Sequence, residues 1–113
     1  MSFTFGDIYF VDFEPSVGHE YKGKRPAFIA QEEEISKTSP VVTVIPMTSQ
    51  LKQLHSPDVL IQPDQKNRLN EDSVIKVRHI YTFDKSRFLF RIGRAGSPVI
   101  RQVRGYLRRH FGM

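Results

Sequence analysis

Ser97-Pro-Val-Ile-Arg-Gln-Val-Arg-Gly-Tyr-Leu-Arg-Arg-His-Phe-Gly112 is where the chain changes period. Val99, Ile100, Val103, Tyr106, Leu107 and Phe111 recur at helical spacing, the pattern of one apolar face on an α-helix. Ser97 is the expected N-cap, Pro98 suits the first helical position, and Gly112 lies just past the end. Arg108, Arg109 and His110 fall in the last turn, where cations complement the helix dipole. Gly105 costs about 1 kcal/mol against alanine in a helix interior, so a close packing contact is expected there.

Working back from this helix, the remaining apolar runs are short and rich in β-branched and aromatic residues. Asp7–Phe13 reads as a strand that Glu14-Pro15 ends. Pro26 opens a second, Ala27–Gln31, and residues 32–40 form a polar connection with one helical turn. Val41–Ile45 is a third strand, stopped by Pro46, and Asp58–Gln62 a fourth, followed by a polar turn from Pro63 to Asp72. Ser73–Phe83 is long for one strand and is expected to bend near Arg78 or His79. Asp84–Arg87 is a turn, and Phe88–Ile92 the last strand. Several short strands with one terminal helix lack the crossover helices that a parallel sheet requires. The expected fold is mainly β: a small curled antiparallel sheet or barrel with a helix packed on it.

The length of 113 residues suits one domain, with the barrel over about 5–92 and the helix over about 97–111. There is no cysteine, which excludes a disulfide framework, a thiolate metal site and a cysteine nucleophile. No apolar run reaches the length of a membrane span, and a cytoplasmic protein with no membrane partner is expected. The net charge of +5 is unevenly placed: residues 1–84 carry a balance of −3, while residues 85–113 hold Lys85, seven arginines and no acid, for +8. That asymmetry favours a polyanionic partner.

The chemistry concentrates in Val17-Gly-His-Glu-Tyr-Lys-Gly-Lys-Arg-Pro-Ala27. The four histidines, at 19, 55, 79 and 110, show no metal-ligand spacing. No nucleophile elbow is present, and neither glycine pair is followed by the Lys-Ser/Thr of a phosphate-binding loop. What fits is a reaction needing only cations, a hydroxyl and an acid–base group, such as cleavage of RNA by its own 2′-hydroxyl. An arginine binds two phosphoryl oxygens at once, a hydroxyl donates to the same group, and His or Glu moves a proton. Arg25, His19 and Glu20 are in this loop, and Pro26 restricts Arg25 to extended geometry. Thr48 and Ser49 stand in a second cluster, Pro46-Met-Thr-Ser-Gln50, where the third strand ends.

Three blocks, "GDIYFVDFEPSVGHEYKGKRPAFIAQ", "VVTVIPMTS" and "DSVIKVRHIYTFDKSRF", resemble in order and spacing the MazF/PemK family of bacterial toxin endoribonucleases, the mRNA interferases. The resemblance covers roughly residues 5–92. It implies an SH3-like barrel, a homodimer, no cofactor, and metal-independent cleavage of single-stranded RNA at short sequences, leaving 2′,3′-cyclic phosphate and 5′-hydroxyl ends. It also implies a cognate acidic antitoxin, MazE/PemI-like, that occupies the RNA groove and provides the only link to DNA. On this resemblance Arg25 falls on the catalytic arginine and Thr48 on the catalytic threonine. His19 and Glu20 match a loop implicated in substrate binding and, in some members, in acid–base work. The RNA-binding set expected is Val17, Tyr21, Lys22, Lys24, Ser49, Gln50 and His79.

Tyr21 stands where many members have glutamine, and an aromatic there can stack on a base or pack under the loop. The Arg–Asp pair that some plasmid-type members carry near Ile75–Val77 is missing, which favours the Arg25/Thr48 arrangement. An ion pair of Glu20 with Lys22, Lys24 or Arg25 is an equal alternative to base work. Arg87 is expected to hold the Asp84 turn, the aromatics of the first strand to be core, and Arg101, Arg104 and Arg108 to form a solvated face. Two rival functions keep the same barrel: a non-catalytic RNA-binding regulator, and a gyrase poison like the CcdB toxins.

Overall fold

The computed structural model describes residues 2–18 and 20–113. The strands are β1 (Asp7–Asp12), β2 (Lys24–Ile29), β3 (Val41–Thr48), β4 (Val59–Ile61), β5 (Ser73–Ile75), β6 (Tyr81–Asp84) and β7 (Phe88–Arg94). Among the described residues the α-helices are α1 (Glu33–Thr38) and α2 (Ser97–His110). All six strand pairings are antiparallel, in the order β4-β5-β3-β2-β1-β7 with β6 also on β3. Among the described residues no helix is long and apolar enough to cross a membrane.

β3 makes the sheet curl. Its first half, Val41–Val44, pairs with β6, and its last residues, Met47 and Thr48, pair with β5. Pro46 sits at the hand-over. Its missing N–H falls between the two pairings, while its carbonyl accepts from the Lys76 N–H at 3.0 Å. The expectation that Pro46 stops the strand is therefore corrected: β3 runs two residues past it. β2 likewise starts two residues before Pro26, so Arg25 is a strand residue rather than a loop residue. The long run 73–83 divides as expected, with β5 ending at Ile75 and β6 starting at Tyr81.

Alternation along the strands sends neighbouring side chains to opposite faces, and both faces are buried. Ile8, Phe28, Ile45, Met47, Ile61 and Ile75 form one core, closed by Val103 of α2 with Ile100, Tyr106 and Leu107 around it. Phe3, Tyr9, Val11, Phe13, Val44 and Phe88 form the other. Each such side chain contributes about 1.5–3 kcal/mol when fully removed from water.

α2 matches its expected span, with two differences in detail. Gly96, in extended geometry, is the N-cap, so Ser97 lies inside the first turn. Gly105 is not a close packing contact: a Cβ there meets only Arg109 Nη1, at 3.9 Å. At the other end Gly112 has φ +70°. Its N–H donates to the Arg109 carbonyl at 3.3 Å, and the Met113 N–H to the Arg108 carbonyl at 2.8 Å. This is the left-handed glycine stop that satisfies the last carbonyls of a helix.

Candidate RNA-binding cleft

Past the reach of α2, the sheet face that carries Ile8, Phe28 and Ile45 continues uncovered. Phe10, Pro26, Met47, Phe90 and Ile92 floor a cleft of about 760 Å³ there. Phe10 and Phe90 are register partners across β1 and β7, and their rings stack at 5.2 Å. Phe10 is thus not wholly core, as expected for the first strand's aromatics, but half-buried in the cleft; Tyr9 and Phe13 are core.

Arg25 and Thr48 both line this cleft. The β2–β3 register pairs Ala27 with Pro46, and continuing it two residues brings Arg25 level with Thr48. Nε and Nη2 of Arg25 donate to the Lys22 carbonyl at 3.1 and 3.0 Å, and Nη1 donates to the Met47 carbonyl at 3.3 Å. Of the five N–H groups of a guanidinium, three are held by main-chain oxygens, which fixes the plane and leaves two to donate. Burial pushes the Arg25 pKa down, opposed by Tyr21 and Tyr81. Thr48 is 8% exposed. Its Oγ1 accepts from the Gln50 N–H at 3.1 Å, so its own hydrogen remains to donate. Ser49 and Gln50 line the same cleft.

The remaining described members of the expected set do not line this cleft. Tyr21 packs under Arg25, with the guanidinium 4.8 Å from the ring centroid. It also meets His79 edge-to-face at 5.1 Å, and its N–H donates to the Tyr81 hydroxyl at 3.0 Å. Burial raises the Tyr21 pKa, with Arg25 opposing. Burial also lowers that of His79, helped by Lys76 and Arg78 and opposed by Asp58. Tyr21 is the platform on which Arg25 rests, so packing accounts for its position.

Among the described residues Glu20 pairs with none of Lys22, Lys24 and Arg25. Its carboxylate accepts from the Val17 N–H at 2.7 Å and closes the loop on itself. Val17, Lys22 and Lys24 are exposed. His19 lies outside the described residues. Arg87 braces the exit of β1, donating to the Glu14 carbonyl at 2.8 Å, while Asp84 accepts from the Ser86 N–H.

Arg68, Arg91 and the Leu69–Glu71 segment also line the cleft, and sequence reasoning did not single them out. Arg91 donates to Asp7 at 3.3 Å. Three arginines against the one carboxylate of Glu71 make the cleft cationic. Phe90 and Arg91 are adjacent in β7 and both exposed, so simple alternation would assign only one of them to the cleft face; nothing local marks Arg68.

Comparison with known proteins agrees with this architecture. A family model described as PemK-like, MazF-like toxin of type II toxin–antitoxin system matches residues 4–111. A crystal structure of MazF from Deinococcus radiodurans superposes with a TM-score of 0.85 at 25% identity, over 100% of this chain and 99% of that one. MazF in a MazE–MazF structure from the same organism gives 0.73 at 25% identity, over 97% and 96%. An endoribonuclease in complex with its cognate antitoxin, from a mycobacterial species, gives 0.77 at 15% identity, over 97% and 95%; at that identity the likeness is one of fold.

Proposed function

This chain belongs to the PemK-like, MazF-like toxin family of type II toxin–antitoxin systems, and we propose on that premise that it is an endoribonuclease cutting single-stranded RNA. The observation that carries the reading is the joint presentation of Arg25 and Thr48 to one cationic cleft. The substrate's 2′-hydroxyl attacks the adjacent phosphorus, the bond to the 5′-oxygen breaks, and the products carry a 2′,3′-cyclic phosphate and a 5′-hydroxyl. The two free N–H groups of Arg25 and the Thr48 hydroxyl donate to the non-bridging oxygens as negative charge builds on them. Their orientation is set before substrate arrives, by the Lys22 and Met47 carbonyls and the Gln50 N–H.

A base takes the 2′-hydroxyl proton and an acid supplies one to the leaving oxygen. On this proposal Arg25 and the ionisable pair His19 and Glu20 of the 17–23 loop divide that work. Phe10 and Phe90 offer faces on which bases stack, and Ser49 and Gln50 offer side chains for base edges. The partners proposed are single-stranded RNA, a second copy of the chain, and an acidic antitoxin segment suited to the arginines of the cleft. The MazE–MazF and antitoxin-bound structures of fold relatives support that last partner.

The test is incubation of the purified chain with a long mixed-sequence RNA in EDTA, with mapping of cuts and end-group analysis. Discrete cuts bearing cyclic phosphate are expected. Intact RNA bound in a salt-sensitive manner would favour an RNA-binding regulator, and trapped gyrase–DNA complexes with intact RNA would favour a gyrase poison.

A further inference from the structure

Arg68 is the only described non-glycine residue with a positive φ, at +57°. That conformation is unfavourable for a residue with a Cβ and open to glycine, so this position suits glycine better than arginine. The turn that carries it is braced on its buried side. Asn67 is fully buried; its Oδ1 accepts from the Asp64 and Leu69 N–H groups at 3.1 and 2.9 Å, and its Nδ2 donates to the Gln62 carbonyl at 2.8 Å. The turn is also pressed against β7. The Arg94 N–H donates to the Lys66 carbonyl at 3.0 Å, and a Cβ on Gly93 would stand 2.5 Å from the Asn67 carbonyl oxygen.

The side chain carried on this turn is exposed and lines the same cleft as Arg25 and Thr48. Among the described residues it has no carboxylate within ion-pair distance, whereas Arg91 in the same cleft is engaged by Asp7. A strained backbone, held by a buried side chain and presenting an unpaired cation to a candidate active site, points to function at that residue.

We propose that Arg68 binds a backbone phosphate of the RNA substrate next to the scissile one, positioning the strand in the cleft. The inference rests on the RNA-cleaving reading of that cleft. It assigns Arg68 to substrate binding, and the chemical step to Arg25 and Thr48.

The test compares the full-length parent with Arg68→Gly, Arg68→Asn and Arg68→Lys. Glycine and asparagine both accept a left-handed backbone, so two neutral variants guard against a folding artefact. Binding is measured on a single-stranded RNA that carries a 2′-deoxy nucleotide at the mapped cut site. The glycine variant is expected to melt at or above the parent temperature, yet to bind about tenfold more weakly, the loss of one charge-assisted phosphate contact. Its slope of log affinity against log salt falls by about 0.7, the loss of one phosphate contact on a single strand. Arg68→Asn behaves alike, and Arg68→Lys restores the slope. On cleavable RNA, KM rises while kcat stays within a factor of about two. Neutral variants that bind within twofold of the parent, with an unchanged salt slope, overturn the assignment while the nuclease reading stands. A parent that neither binds nor cuts RNA overturns both.

Discussion

The guanidinium of Arg25 donates through Nη1 to the main-chain oxygen of Met47 at 3.3 Å, tying the cation to the residue before Thr48. Two sequence clusters are thereby joined by one hydrogen bond between residues 22 positions apart. A bond to a carbonyl survives side-chain replacement at Met47, so the geometry depends on the β2–β3 register and not on a particular neighbour. The same logic places Tyr21 beneath Arg25: its ring supports the guanidinium from one side and leaves the cleft side free.

Lys76 and Asp58 form a buried ion pair, with side chains 6% and 0% exposed. Lys76 Nζ also donates to the Gln53 carbonyl at 2.8 Å, pinning the segment that follows Gln50. Asp58 Oδ1 has no partner among the described residues. Lys76→Met would leave the carboxylate buried and unpaired, and a loss of about 3–5 kcal/mol is expected in urea unfolding. The double variant Lys76→Met/Asp58→Leu recovers most of it, because both charges are then gone. A single variant within about 1 kcal/mol of the parent would contradict this.

His79 gives the stability a pH dependence. Burial, then Lys76 and Arg78, hold its pKa below the ordinary 6.5, with Asp58 opposing. The unfolded chain takes up this proton near 6.5 and the folded chain only at lower pH, so stability falls as pH drops through that window. His79→Gln removes the contribution. Melting temperatures of parent and variant between about pH 7 and pH 5 should diverge, with the parent losing more. Parallel curves would show that His79 carries no such linkage.

Gly105→Ala is expected to stabilise. The added Cβ meets only Arg109 Nη1 at 3.9 Å, and alanine in a helix interior gains about 1 kcal/mol over glycine. A rise in Tm of about 4 °C follows for a domain of this size. A fall would reveal a contact of this surface that excludes the methyl group.

Much of this architecture is legible in the sequence because both periods are clean. Val41–Ile45 and Asp7–Phe13 read as strands, and α2 reads from its apolar spacing. What local reading misses is non-local. Pro46 signals a strand end, yet the neighbour of β3 changes at that very residue, so the missing N–H costs no ladder bond. Ser97 is the better cap by residue type, yet the extended backbone that makes a cap falls at Gly96, which residue type alone does not reveal.

The site divides in the same way. Arg25 and Thr48 stand out as a cation and a hydroxyl at strand ends, and the sheet brings them to one cleft. Tyr21 and His79 do not line that cleft, because a ring next to an arginine serves packing as readily as base stacking. Arg68 leaves no local trace: its importance rests on a φ angle that Asn67 imposes from the buried side of the turn.

The most direct measurement is single-turnover cleavage of one mapped RNA by the parent and by Arg25→Ala, each shown to be folded by circular dichroism and melting. The account predicts that the variant keeps the fold and loses about 100-fold or more in the cleavage rate, the scale of removing a preorganised transition-state donor. Arg25→Lys fails to restore it, because an ammonium cannot hold the Lys22 and Met47 carbonyls and the phosphoryl group in one plane. An Arg25→Ala protein that cuts the same RNA at the parent's rate would contradict the account at its centre.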